Sequence, residues 1–279
     1  DTMYKNLLSW FTIILVLPSC SRTAPTIDVV CEENNVGNAV IKWETAPAIQ
    51  GQVKIYASTA TPDFIPEDVP VATTDIGNGQ QTIITNDPSK RYFYLLVFNN
   101  KYRVKVASRN LNIGGIQNFR DVGGYKSDAT GGNTRWGMLY RSAQIDSISP
   151  YAQKELKNIG IKTIIDLRSE AEYCKYSPLK DKDINVCHIP IVTKNIDTIL
   201  KEIKEEKINV DTISRLAERA NRDLVVKHTK EYREMFDILL DRDNYPIVIH
   251  CTSGNGRTGI ATVLVLAALG VDDDTVLKD

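Results

Sequence analysis

His250-Cys251-Thr252-Ser253-Gly254-Asn255-Gly256-Arg257-Thr258-Gly259 (HCTSGNGRTG) stands between two apolar runs, PIVI before it and IATVLVLAAL after it. A short buried run, a glycine-bearing loop and a longer apolar run predict strand, loop and helix, with the strand over 246–250 and the helix over 258–269. In an open α/β sheet such a loop lies at the carboxyl end of a parallel strand, where ligands bind. Its backbone N–H groups, from Thr252 to Arg257, can curl into an anion nest, and the following helix adds roughly half a positive charge at its N-terminus. Gly254 and Gly256 are expected to supply the left-handed or closely packed backbone that the cradle needs. Arg257 brings a planar fork able to hold two oxygens of a phosphate at once. All of these features also stabilise a thiolate. The package is a nucleophile inside an oxyanion cradle.

Working outward, the 110 or so residues before the loop alternate strands with helices, the grammar of a mostly parallel sheet. MLYRS (138–142) reads as a strand. Ser149 caps a helix that has Pro150 at its first position, runs to about Asn158 and closes at Gly160. IKTIIDLR (161–168) is a near-continuous apolar strand of the kind covered on both faces, and INVCHIPI (184–191) is another. Residues 195–208 are charge-rich and predict a solvated helix. In LVVKHTKEYREMFDILL, positions Leu224, His228, Tyr232, Met235, Phe236 and Leu239 fall at helical spacing, predicting one helix. The helix over 258–269 is apolar all round and is expected to be central. Asp272-Asp273-Asp274-Thr275 resembles a helix cap, so a chain stopping at Asp279 reads as truncated within a domain spanning 108–279.

Residues 26–107 follow a different pattern. NAVIKWET (38–45), GQVKIYAST (51–59), QQTIITN (80–86), RYFYLLVF (91–98) and KYRVKVAS (101–108) alternate or run β-branched and aromatic, which predicts short strands. Asn99-Asn100 is a two-residue hairpin signal because Asn tolerates positive φ. Pro62, Pro66, Pro70 and Gly77-Asn78-Gly79 punctuate the middle. Some eighty residues of such strands, with Trp43 on an early strand and Tyr92/Tyr94 on a late one, resemble a fibronectin type III or immunoglobulin-like β-sandwich. Trp43 itself reads as a core residue.

The first 25 residues are expected to be a signal segment rather than fold. Met3, Lys5 and Asn6 precede an apolar run, LLSWFTIILVL (7–17), of signal-peptide length and too short to span a bilayer. Leu17-Pro18-Ser19-Cys20 resembles the bacterial lipoprotein signal, which implies lipidation at Cys20 and an exported chain, periplasmic or on the cell surface, held at a membrane. A plain secretory signal is the alternative. A hydrophobic share of 42%, 25% charged residues and a net charge of −1 describe a globular chain without the basic excess of a nucleic-acid binder. Five cysteines show no metal-ligand spacing, so neither metal nor cofactor is expected. Cys174 and Cys187 could pair in an oxidising compartment or be small apolar residues. His188 and His228 read as packed strand and helix residues.

The loop, matched as H-C-x-x-G-x-G-R-T-G, resembles the Cys-x5-Arg signature of cysteine-dependent phosphatases. NFRDVGGY (118–125), YRSA (140–143) and IDLRS (165–169) precede it, and with them the chain from 113 to 270 resembles the bacterial tyrosine/serine (dual-specificity-like) protein and lipid phosphatase family. The resemblance implies an α/β phosphatase domain and a metal-free phosphomonoester hydrolysis. In it Cys251 attacks phosphorus, Arg257 binds the equatorial oxygens, Thr258 supplies a hydroxyl to the departing thiolate and His250 holds the loop. Thr252, Ser253, Gly254, Asn255 and Gly256 would bind phosphate. Many members of the family carry Lys and Asp in the loop where this chain has Asn255 and Gly256, so the proton donor must come from elsewhere. Asp197 stands where a mobile acid loop follows the matching strand, and a solvated or capping role is its rival. Asp166 and Arg168 end a strand at the same sheet edge, with a structural salt bridge to Arg120 or Asp121 as the other account. Asp121 is a further acid candidate.

The implied substrates are phosphotyrosine or phosphoserine proteins, phosphoinositides or soluble inositol phosphates. Lys194, Arg215, Arg219 and Arg222 could line a bowl for inositol phosphates or form a solvated face. A non-catalytic phosphate-binding or adhesion protein is the alternative, and a rhodanese-like sulfur transferase a third.

Overall fold

A computed structural model describes residues 24–66, 69–87, 89–146, 148–175, 179–192 and 210–279. The signal segment with Cys20, the charge-rich stretch expected as a helix, Lys194 and Asp197 all lie outside the described residues.

Seven antiparallel strands form two sheets in the first part of the chain. They are β1 (Thr26–Glu33), β2 (Ala39–Ala46), β3 (Gln52–Ser58), β4 (Ala72–Asp75), β5 (Gln80–Ile83), β6 (Phe93–Phe98) and β7 (Tyr102–Val106). One sheet has the order β1-β2-β5 and the other β4-β3-β6-β7. β1 and β4 add to the five strands legible in the sequence; in each, neighbouring residues alternate in exposure. The inward residues of both sheets, including Ile41, Trp43, Val53, Ile55, Leu96 and Phe98, form one core. Trp43 packs edge-on to Phe98 and donates its indole N–H to the Ile76 carbonyl at 2.8 Å. The β6–β7 connection spans three residues rather than two, with Asn99 and Asn100 both left-handed (φ 50° and 56°) and Lys101 N donating to Phe98 O.

The second part builds a five-stranded sheet in the order β11-β10-β12-β9-β8. β9 (Leu139–Ser142), β10 (Thr163–Asp166), β11 (Asn185–His188) and β12 (Ile247–His250) are parallel, while the two-residue edge strand β8 (Arg120–Asp121) is antiparallel to β9, so the sheet is mixed. Both faces are covered, which explains the unbroken apolar strands. Ile165 and Ile249 face a core shared with Tyr232, Met235, Ala261 and Leu266. Ile164 and Val248 face the other, shared with Ala152 and Leu156 of α1 (Pro150–Ile159). α1 starts as the sequence predicts: Ser149 Oγ accepts from Ala152 N, and Gly160 closes the helix at φ 83°.

Two helix readings are corrected. The apolar spacing over 224–239 straddles two helices, α3 (Val210–Lys227) and α4 (Thr229–Leu240), which follow α2 (Glu170–Lys175). The break falls at His228, whose Nε2 lies 3.1 Å from the Val192 carbonyl. Both helices present their apolar face to the same core, so the period runs on through the break. α5 (Gly256–Ala268) is apolar all round but buried on one side only; Val263 is half-exposed. Asp272 caps α6 (Asp273–Val276) through Thr275 N at 3.0 Å. Cys174 and Cys187 are free thiols, as are Cys31 and Cys251.

The two parts are joined by a buried ion pair. Arg91 donates to the Asp121 carboxylate at 3.0 Å, with side chains 5% and 0% exposed, and to the Ser108 carbonyl. Asp121 also accepts from Gly123 N and Gly137 N, both at 2.8 Å. Trp136, from the second part, packs into the core of the first. Gly123 and Gly124 explain the middle of NFRDVGGY: a Cβ on either would come within 2.5 Å of Trp136.

Candidate functional site

Register brings Ser142, Asp166, His188 and His250, the last residues of the four parallel strands, to one edge of the sheet. The loop from Cys251 to Asn255 leaves that edge and enters α5. Cys251 is 2% exposed and Arg257, in the first turn of α5, is 6% exposed. Gly254 is left-handed (φ 74°), and a Cβ there would meet the Ser142 carbonyl oxygen at 2.5 Å. Only glycine fits that crossing of loop and β9. Gly256 is different: it is helical, and a Cβ there meets nothing within 4 Å. The expectation that both glycines serve the cradle holds for the first and gives way for the second.

The loop is pinned from three sides. Arg141 Nη2 donates to Gly254 O at 2.9 Å. Asn118, left-handed at φ 57°, donates its amide to Gly254 O and to Asn255 Oδ1 at 3.3 and 3.0 Å. Gln144 N donates to Thr252 O at 3.1 Å. Behind Arg141 sits Asp279, whose carboxylate pairs with Arg141 and accepts from Tyr125 Oη at 2.6 Å, while Arg120 bonds to Asp279 and Asn118. Arg120 therefore acts through these neighbours and not on Asp121 or Asp166.

Arg257 is held by a residue that the sequence did not single out. Its Nη1 and Nη2 donate to the two oxygens of Glu172 at 2.6 and 2.8 Å. Glu172 also accepts from Ser169 N and Oγ at 2.8 and 2.7 Å and from Thr252 Oγ1. Arg257 and these hydroxyl and amide donors hold its carboxyl far below the usual carboxylate range. Nη1 further reaches the Leu167 and Ile191 carbonyls, at 3.3 and 3.2 Å. The Nε–H lies outside these bonds. A signal for Glu172 existed: Ser169-Glu170-Ala171-Glu172 is a capping box, and the structure forms it.

Asp166 and Arg168 do meet at the sheet edge, but they meet each other. Arg168 Nε and Nη2 donate to Asp166 at 3.0 and 2.7 Å, and Arg168 Nη1 reaches Asp146 at 3.2 Å. Burial pushes the Asp166 carboxyl up, and the Arg168 bonds outweigh it and leave it below its ordinary value. An anion so fixed is a poor proton donor. His250 lies between this pair and the loop, with Nε2 3.5 Å from Asp166 and Nδ1 3.1 Å from the Cys251 carbonyl; full burial lowers its imidazole below the ordinary value. Asp121 is turned toward Arg91 and away from the loop, so as an acid candidate it is displaced by its structural task. His188 stacks on Tyr173 at 3.9 Å, with Nε2 2.8 Å from the Arg168 carbonyl. Arg215, Arg219 and Arg222 lie on an exposed stretch of α3.

Two buried hydroxyls beside the loop have no hydrogen-bond partner among the described residues: Thr258 Oγ1 and Tyr232 Oη. Burial, and then the nearby Cys251 charge, push the Tyr232 phenol up to about 12, with Arg257 opposing. Tyr232 thus borders both the cysteine and the arginine. Its position in the helical apolar pattern had marked it as core alone.

Residues 111–279 match the model of a family described as the tyrosine phosphatase family. H16_A0669 of Cupriavidus necator, named for tyrosine-protein phosphatase, is 27% identical over 166 residues, covering 59% of this chain and 59% of that protein. The triple specificity protein phosphatase PtpB of Mycobacterium tuberculosis is 26% identical over 186 residues, covering 59% of this chain and 66% of that one. The match therefore spans less than two thirds of either relative's length. Among solved structures, P. aeruginosa TpbA is 15% identical with a TM-score of 0.30, over 52% of this chain and 69% of that chain. With the family model spanning the whole mixed sheet and the loop at its edge, the chain belongs to the tyrosine phosphatase family.

Proposed function

We propose that the chain hydrolyses phosphomonoesters through a phosphocysteine. The observation that carries this reading is the single loop that holds a buried Cys251 and the Glu172-braced Arg257, beside a Thr258 hydroxyl with no partner. Cys251 Sγ attacks phosphorus in line; the S–P bond forms as the P–O bond to the leaving group breaks. Arg257 and the loop amides stabilise the charge that develops on the phosphoryl oxygens. Water then attacks phosphorus, the P–S bond breaks, inorganic phosphate leaves and the thiolate returns, with the Thr258 hydroxyl donating to the departing sulfur.

A leaving alkoxide needs a proton more than a phenoxide does. With Asp166 and Asp121 committed elsewhere, Asp197 is the acid this reading assigns. Asp197→Asn should then slow phosphoserine hydrolysis far more than p-nitrophenyl phosphate hydrolysis; equal slowing would exclude it. The decisive assay is p-nitrophenyl phosphate turnover, lost in Cys251→Ser and in Arg257→Ala. Full activity in Cys251→Ser would sink the mechanism, and vanadate binding without turnover of any phosphoester would favour a pure phosphate receptor.

The same proposal divides the chain into a signal segment (1–25), a fibronectin- or immunoglobulin-like sandwich (26–107) and the phosphatase domain from 108. Two face-packed antiparallel sheets around Trp43 support the second assignment. An exported lipoprotein anchored at Cys20 rests on the sequence alone; metabolic palmitate labelling blocked by globomycin tests it, and an unlabelled, freely secreted chain would rule the anchor out.

A further inference from the structure

A cavity of about 1250 Å3 opens between the end of β1 with the turn that follows it and the loop 108–119. One end is Asn118, the residue whose amide grips Gly254 and Asn255. Beside it Gln117 O accepts from Ala143 N at 2.9 Å, one residue past β9, so this rim of the groove is fixed to the frame that carries Cys251. The other end is built by the first part of the chain. One end of the groove is thus formed by a residue that holds the loop, and the groove runs from there to the first part of the chain. Its volume exceeds the roughly 300–1,000 Å3 of an ordinary small-ligand pocket.

The walls favour one kind of occupant. Asn35, Asn112 and Gln117 expose carboxamides, each able to donate and accept, which suits the alternating N–H and C=O of an extended chain. The charge at the far end is negative. Glu32 and Glu33 both line it; Lys42 neutralises Glu32 at 2.8 Å, and Glu33 has no ion pair among the described residues. Arg109 also borders the groove, but its guanidinium lies over the rings of Tyr125 and Trp136, at 3.9 and 5.0 Å, and donates to the Asp121 carbonyl. Past the Asn118 end, outside the groove itself, Arg257, Arg141 and Arg120 stand around the loop that Asn118 holds. A ligand bound along the groove therefore carries its negative charge at the loop and positive charge beyond it. A polyphosphorylated inositol would bring anionic groups toward Glu33.

We infer that this groove is a second subsite, in which a cationic polypeptide segment flanking the phosphorylated residue lies across the junction between the β-rich part and the phosphatase sheet. The inference rests on the phosphatase reading above. It gives the β-rich part a task in substrate choice.

The test uses the full chain and two phosphotyrosine peptides that differ only in their flanks, lysine-rich in one and glutamate-rich in the other, with p-nitrophenyl phosphate and inositol 1-phosphate alongside. The readout is the ratio of kcat/KM for the two peptides. A ratio of about ten in favour of the basic peptide is expected, carried in KM and collapsing toward one in Glu33→Lys. In the unaltered protein the ratio should also fall as salt rises from about 0.05 to about 0.5 M, as screening shortens the reach of Glu33; this arm needs no variant to fold. Equal turnover of the two peptides overturns the subsite, as does a preference untouched by salt and by Glu33→Lys, or faster turnover of inositol 1-phosphate than of either peptide. If p-nitrophenyl phosphate itself is not hydrolysed, the phosphatase reading fails first and takes the subsite with it. Hydrolysis without flank preference fails the subsite alone.

Discussion

Replacing Glu172 by Gln should weaken the enzyme by loosening its arginine. In the structure Glu172 accepts from both terminal nitrogens of Arg257, at 2.6 and 2.8 Å, and is itself fixed by Ser169 and Thr252. Hydrogen bonds to a charged group contribute about 1.5–3 kcal/mol each, and bidentate pairs add orientation to energy. Glutamine keeps one acceptor and the shape but loses the charge and the second acceptor. Arg257 retains the Leu167 and Ile191 carbonyls through Nη1 and, through Nη2, only the Thr252 hydroxyl at 3.3 Å. The net loss is therefore about one such bond, or ~1.5–3 kcal/mol, which converts to roughly ten- to a hundredfold in kcat/KM.

The assay is p-nitrophenyl phosphate hydrolysis with vanadate inhibition measured on the same preparation. Both kcat/KM and vanadate affinity should fall together. An acid limb gives a second readout. The Glu172 carboxyl lies below its ordinary value of 4.5 in the folded chain, so its stabilisation is complete above about pH 4.5 and drains as pH falls further. The unfolding midpoint of Glu172→Gln should lose that portion of its acid dependence. A variant that binds vanadate more tightly, or turns over faster, would refute the reasoning: the carboxylate would then be a competitor on the phosphoryl face of Arg257 rather than its brace.

Breaking the Arg91–Asp121 pair with Arg91→Ala should destabilise the chain by ~3–5 kcal/mol, because a buried carboxylate is left without its cation; urea unfolding reads this, and unfolding of the first part alone, with the phosphatase sheet intact, would show that the pair does not couple them. Gly254→Ala should reduce kcat/KM more than tenfold, since the left-handed backbone costs about 1–2 kcal/mol and the new methyl meets the Ser142 carbonyl, whereas Gly256→Ala should keep its rate and gain up to about 1 kcal/mol of helix stability. The His250 imidazole lies below its unfolded value of 6.5, so its folded-state advantage is complete above about pH 6.5 and drains as pH falls; His250→Gln should flatten the pH dependence of the urea midpoint between about pH 7 and 5.

The elements surrounding the loop were legible because their signals are local. A four-residue apolar strand, a left-handed glycine and a helix that begins at once leave few alternatives, and Ser149, Pro150 and Gly160 mark their helix by caps alone. Glu172 was half legible. Its capping box joins residues three apart, Ser169 and Glu172, but its grip on Arg257 reaches across 85 positions and has no local signature. The helix break at His228 was hidden for a related reason: both helices serve one core, so the apolar period gives no sign of the interruption that the Val192 carbonyl stabilises.

The acids were the hardest to read, and β8 shows why. Adjacent residues of a strand point to opposite faces. In Arg120-Asp121 the arginine turns to Asp279 and Asn118 beside the loop, and the aspartate turns to Arg91 in the other half of the molecule. Sequence offered Asp121 as an acid candidate and Arg120 as a support, but only the pleat decides which one faces the chemistry. Asp166 ends its strand at the sheet edge that the loop leaves, and the nearest strong donor, two residues on, captures it. Asp166 is held as an anion by Arg168, which deprives it of the proton a leaving group needs, while Asp121, whose carboxyl burial pushes up, is tied to Arg91 and to Gly123 N and Gly137 N. The demand for an acid thus shifts off the sheet edge, and under the proposed mechanism Asp197, which follows INVCHIPI in the sequence, is the residue the sequence offers for it.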